Sequence, residues 1–193
     1  MGKKSFLRAA IFAALFTALA AGASAQVTIS GGFAVSSMEA KIGSYSYDGD
    51  IGLGGNIFFD YLLPISVPLS LGFEAGYDTA SLSDDEMGEL SGYAIPLLLR
   101  AAYHFDLMAN LDLYLVGKVG YVLGGGEERG QTEEDINGLG FGVDVGAAYY
   151  FTPRIGIFGE AGFERYSLEK EISGYKYEFP FSRFVIIGLS TKF

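Results

Sequence analysis

Cysteine is absent from the chain. It can therefore form no disulfide, carry no lipidated cysteine at a leader cleavage point, and offer no thiol nucleophile. Basic residues are scarce, 13 Lys and Arg against 23 Asp and Glu, for a net charge of −10. That balance disfavours nucleic acid as a partner, because phosphates need a cationic surface. Histidine occurs once, as His104. No long apolar run follows residue 25, so no later segment can cross a membrane as a helix. Yet half the residues are hydrophobic, and the chain holds 28 Gly, 13 Tyr and 16 Phe. So much apolar surface without a run has to be distributed over alternating strands.

The one apolar run sits at the N-terminus. Lys3, Lys4 and Arg8 precede an apolar stretch over 9–21, and Ala23-Ser24-Ala25 follows it. The stretch is shorter than the ~20 residues a spanning helix needs, and small residues close it, as in a secretory signal peptide. Residues 1–25 are expected to be removed, with Ala23 and Ala25 marking the cleavage site, leaving 26–193 as one domain. Losing Lys3, Lys4 and Arg8 leaves ten basic residues against 23 acidic, a net charge of −13.

Period-two alternation predicts eight strands, over 27–35, 51–63, 69–78, 93–105, 111–123, 138–151, 155–166 and 183–193. The last is the clearest. Val185, Ile187, Leu189, Thr191 and Phe193 fall on one face, and Phe184, Ile186, Gly188, Ser190 and Lys192 on the other. The connections alternate, with long ones predicted over 36–50, 79–92, 124–137 and 167–182 and short ones between. Pro96 is a misfit inside a strand, since it cannot donate to a ladder; a bulge there, or a strand beginning at Leu97, would accommodate it. Glu74-Ala75-Gly76-Tyr77 recurs as Lys118-Val119-Gly120-Tyr121 and Glu160-Ala161-Gly162-Phe163, as expected for one strand pair used repeatedly.

In every strand the bulky residues share one face, while Gly, Ser and isolated charges share the other. Eight strands enclose a narrow interior that suits the small face, so the bulky face belongs against lipid. The predicted fold is an all-β, eight-stranded, antiparallel, up-and-down transmembrane β-barrel. A soluble lipocalin-like barrel would need the bulky face inside. Tyr103, Phe105, Tyr149, Phe151 and Phe193 would form one aromatic girdle, and Tyr77, Tyr93, Tyr121 and Phe163 the other.

The inner face carries Asp60, Glu74, Asp78, Asp112, Asp144, Glu160 and Glu164 with Arg100, Lys118 and Lys192. Charges in so narrow a space need partners, and strand adjacency favours Glu74 with Arg100 and Lys118 with Asp144. One reading is a structural ion-pair network; the other is a narrow path that prefers cations. Asp84, Asp85, Glu86, Glu89, Glu127, Glu128, Glu133, Glu134 and Asp135 form acidic runs in two long connections. Their spacing matches no calcium-binding motif, so they read as solvated charge, with weak divalent bridging as the sharper alternative. His104 sits just before a short turn and reads as structural. No serine stands in a nucleophile-elbow motif, and Gly138-Leu139-Gly140-Phe141-Gly142 lies inside a strand rather than cradling phosphate. The chain is expected to be non-enzymatic, with neither cofactor nor metal.

The leader, the eight alternating strands, the uneven connections and the ending Val185…Phe193 resemble the small outer-membrane β-barrel proteins typified by OmpX, OmpW and the OmpA transmembrane domain. The resemblance implies residence in a bacterial outer membrane, both mature termini in the periplasm and the long connections outside. It implies that Val185, Ile187, Leu189 and Phe193 are read by the barrel-assembly machinery. It implies a role in envelope structure or in surface interaction, adhesion or host contact, through four extracellular loops. The alternatives are a narrow cation-preferring channel and an OmpW-like transporter of small apolar molecules, for which Phe58, Leu62, Leu98, Val116, Val122 and Phe158 would line the path.

Overall fold

The structure is a computed structural model that describes residues 26–42, 45–84, 88–128, 131–172 and 175–193. The expected leader, with Ala23 and Ala25, lies outside the described residues. The strands are β1 (Val27–Ile42), β2 (Tyr45–Leu62), β3 (Leu69–Asp84), β4 (Gly88–Met108), β5 (Leu111–Glu128), β6 (Gln131–Tyr150), β7 (Ile155–Ile172) and β8 (Tyr175–Lys192). Each pairs antiparallel with the next, and β8 pairs with β1 to close the barrel. At the seam, Val27 and Phe193 exchange backbone hydrogen bonds of 3.3 and 2.8 Å.

The faces divide as the alternation requires. Phe33, Leu53, Leu139 and Ile187 are between 63 and 80 % exposed, and every one points outward. Small residues let the inward side chains meet. A Cβ at Gly140 would lie 2.9 Å from Val122 and 3.0 Å from both Leu98 and Tyr166, so the missing side chain gives those three their common space. The aromatic residues expected in the girdles lie on the outer surface, where Tyr77 stacks on Tyr93 at 5.8 Å and Tyr103 meets Phe105 edge-on at 5.0 Å.

Three local expectations are corrected. First, the four long connections are mostly strand. Pairing continues to Ile42↔Tyr45, Asp84↔Gly88, Glu128↔Gln131 and Ile172↔Tyr175, so each connection is an extended hairpin. Hydropathy alternation fades over these stretches of the sequence. The backbone ladder continues regardless, since every N–H and C=O still needs a partner. Strands of 16–21 residues exceed the ~9–11 that cross a bilayer, so the hairpins project beyond it by roughly 15–20 Å. The short turn expected over 106–110 is likewise trimmed, because β4 runs to Met108.

Second, Pro96 lies within β4 and is buried, with neither a bulge nor a strand start at its side. The register with β3 is the same on both sides of it, at Ala75↔Leu97 and Asp78↔Ala94, and pairing is missing opposite Gly76 and Tyr77. The strand tolerates the proline by omitting rungs. A Cβ at Gly76 would stand 3.1 Å from the proline ring, so glycine makes the room.

Third, β8 does not alternate without interruption. The register with β1 shifts between Val35↔Val185 and Ser36↔Arg183, and that with β7 shifts between Ala161↔Val185 and Glu164↔Arg183. Phe184 is the extra residue against β1, whereas against β7 the extra residue lies on β7; Phe184 points outward. Arg183, which strict alternation puts on the outer face beside Val185, is turned into the lumen and buried.

Candidate functional site in the lumen

The lumen is filled in three layers. Toward the hairpin end, Met38, Ala80, Ala94, Leu98, Val122, Ile136, Tyr166, Leu168 and Phe181 form one apolar cluster. Toward the short turns, Ala34, Phe58, Ala102, Tyr114, Val116, Ala148, Tyr150, Phe158 and Ile186 form another. Between them lies a layer of charge. The strands show the order directly: β4 carries Leu98, Arg100 and Ala102 in succession along its inner face, and β5 carries Val122, Lys118 and Val116.

Three cations organise the charged layer. Arg100 reaches Asp60 with Nε at 3.2 Å, Glu74 with Nη1 at 2.8 Å and Glu160 with Nη2 at 2.6 Å. Its guanidinium also lies 4.0 Å from the Phe58 ring centre, a cation–π contact on the floor of the layer. Lys118 Nζ lies 2.7 Å from Asp144, 2.7 Å from Glu160, 2.6 Å from Glu164 and 3.2 Å from Glu74. Arg183 pairs with Glu74, lies 2.5 Å from Glu164 and stands 3.7 Å from Asp78. Neutral donors complete the set: Tyr114 donates to Glu160 at 3.0 Å, Tyr166 to Glu164 at 2.9 Å and the Asn56 amide to Glu74 at 3.3 Å. Glu74 meets all three cations and Glu160 and Glu164 two each, so the ion pairs form one connected network. In a connected network each cation's donors are shared among several carboxylates, and the bonds polarise one another.

Of the residues singled out from the sequence, Asp60, Glu74, Asp78, Arg100, Lys118, Asp144, Glu160 and Glu164 all meet in this layer. Glu74 is beside Arg100, and Lys118 beside Asp144. Asp112 and Lys192 do not join them. They sit at the short-turn mouth, 3.7 Å apart, where Asp112 is paired with His104. The apolar residues considered for a transport path are divided: Leu98 and Val122 belong to the upper cluster, Phe58, Val116 and Phe158 to the lower, and Leu62 lines the mouth. The divalent-bridging expectation rests on acidic side chains outside those described.

Arg183 was not anticipated. Two signals point to it in retrospect. An arginine on a lipid-facing strand has no partner there, and seven inward acids against three inward bases call for another cation. Tyr114 and Tyr166 were also missed as network members, because a tyrosine on an inner face reads as packing until its hydroxyl is seen to meet a carboxylate.

A family model described as the outer membrane protein β-barrel domain matches residues 8–193. The chain belongs to that family. It is accordingly an outer-membrane β-barrel of the bacterial envelope, embedded in lipid. Among solved structures it is similar to the Neisserial surface protein A, at 19 % identity and a TM-score of 0.54, covering 88 % of this chain and 97 % of that one. It is also similar to a major outer membrane protein from Thermus thermophilus, at 18 % identity and a TM-score of 0.50, covering 84 % and 99 %. At these identities the likeness speaks for the fold. No protein of curated function matches the chain.

Proposed function

We propose that this outer-membrane barrel conducts nothing through its lumen and acts through its projecting hairpins, in envelope structure or surface contact. The observation that carries this reading is the three-layer filling. Six inward carboxylates against three cations would attract cations if water threaded the layer. On the hairpin side the apolar side chains are buried and in contact, so that among the described residues no column of water runs from mouth to mouth, although the space at the short-turn mouth reaches Asp60. Every one of the six carboxylates lies within ion-pair distance of at least one of the three cations.

The hairpins then carry whatever specificity the protein has. The β3–β4 and β5–β6 hairpins stand side by side, since β4 and β5 stay paired out to Leu90↔Glu128. These are the two whose sequences bear the acidic runs, and that charge favours a partner with a basic surface. Delivery follows the same reading: a leader cut after Ala25, and assembly directed by Val185, Ile187, Leu189 and Phe193. Supporting it is the position of these four on the outer face of the closing strand.

The test is single-channel recording of residues 26–193, refolded and inserted in a planar bilayer, with heat-modifiable gel mobility as the check on folding. A folded, electrically silent barrel is expected. Discrete cation-selective steps that vanish in Glu74→Gln or Glu160→Gln would establish the channel reading instead.

A further inference from the structure

At the short-turn mouth the lumen opens into a cavity of about 120 Å³. Three of its lining residues come from three consecutive strands. Ser70 is on β3, His104 on β4 and Asp112 on β5, each a diagonal neighbour of the next on the inner face. Ser70 Oγ lies 2.9 Å from His104 Nε2, and His104 Nδ1 lies 2.9 Å from Asp112 Oδ1. A carboxylate can only accept, so Nδ1 carries the ring proton. In the neutral imidazole Nε2 then presents its lone pair to the serine hydroxyl, which donates to it. This is the tautomer and the order of contacts that make a serine nucleophilic.

The geometry points to Ser70 as an activated nucleophile, with His104 as its base and Asp112 orienting the imidazole, in a site that takes small acyl esters. This goes beyond the role proposed for the hairpins and does not depend on it. It also departs from the structural role expected of His104. Ser70 is only 2 % exposed, so a reagent reaches it solely through the cavity, while His104 and Asp112 side chains remain 18 % and 17 % exposed at its rim. The cavity pairs this polar edge with the apolar side chains of Phe58, Leu62 and Phe158, which suits a short acyl chain next to an ester carbonyl. Lys192, held 3.8 Å over the Tyr150 ring, and Thr28 line the same space and offer donors to a developing negative charge.

The step balances without a further reactant. Ser70 Oγ forms a bond to the carbonyl carbon as its proton passes to His104 Nε2. The ester C–O bond then breaks, and the alcohol leaves with that proton. Water repeats the sequence to release the acid and restore the serine.

The experiment is labelling of the refolded 26–193 chain in detergent micelles with a small fluorophosphonate. Its phosphorus–fluorine bond breaks as the Ser70 oxygen–phosphorus bond forms, and the adduct is located by peptide mass mapping. Selective modification of Ser70 is expected, with Ser30 and Ser190 of the same cavity unmodified. His104→Gln should slow the reaction about 100-fold or more, and Asp112→Asn should slow it substantially, with folding of each variant checked by heat-modifiable mobility. A folded wild-type barrel left unlabelled overturns the proposal. So does equal labelling of Ser70, Ser30 and Ser190, or a Ser70 rate unchanged in folded His104→Gln. The comparison among the three serines needs no variant, so it decides the matter even if a substitution prevents folding.

Discussion

Replacing Arg183 by Met tests the bulge in β8 and the lumen network together, because the two possible placements of this side chain predict opposite signs. Met has similar length and no charge. In the structure Arg183 is buried and serves Glu74, Glu164 and Asp78. Removing it leaves those carboxylates in a layer with two cations instead of three. Deleting one member of a buried ion-pair set costs about 3–5 kcal/mol, since the partners remain desolvated without compensation. Were β8 to alternate without a bulge, Arg183 would face lipid. Removing an arginine from the lipid face gains about 0–4 kcal/mol instead, from nothing at the interface to the upper value at the midplane. The assay is equilibrium urea unfolding of the refolded protein in lipid vesicles. The chain has no tryptophan, so the transition is followed by far-ultraviolet circular dichroism and by gel mobility. The expected result is a lower midpoint, partly restored when Glu164→Gln is added, because the second substitution removes one of the uncompensated charges. An unchanged or raised midpoint in Arg183→Met would refute both the bulge and the network as described.

Other substitutions probe how tightly the barrel is filled. Gly117 points outward with nothing within 4 Å of an added Cβ, so Gly117→Ala should alter unfolding by no more than about 0.5 kcal/mol. At Gly138 an added Cβ would collide with the Ser167 carbonyl, so Gly138→Ala should cost about 1–3 kcal/mol in the same urea titration. Equal effects at the two positions would mean that the β6–β7 approach is looser than it stands here. Phe58 packs edge-on against Phe158 at 4.9 Å and lies under Arg100, so Phe58→Ala should cost about 3–5 kcal/mol. A loss below about 1 kcal/mol would show that the lower apolar layer contributes little to stability.

Most of the architecture was legible in the residues themselves. Val185, Ile187 and Leu189 against Ile186, Gly188 and Ser190 is a local pattern, and a strand's two faces follow from chain geometry alone. The same holds for the number of strands and for the bulky face turning to lipid, because a narrow barrel leaves no choice of which face goes inside. The inward charges on β2 to β7 could likewise be named from parity. Parity counts positions, however, and a single extra residue reverses it. Phe184 does so in β8, and only the paired strands on both sides reveal the shift, which brings Arg183 to Glu74 across 109 residues of sequence. The hairpins lengthened for a related reason: backbone pairing persists where side chains lose their alternation, and a hydropathy pattern cannot register it. Pro96 is accommodated by rungs left out opposite Gly76, a solution that depends on the partner strand. The contacts from Ser70 through His104 to Asp112 are the same kind of fact. Each residue's face could be read from its own strand, but their hydrogen bonds required the register of three strands at once, and register is a property of the closed barrel rather than of any one segment.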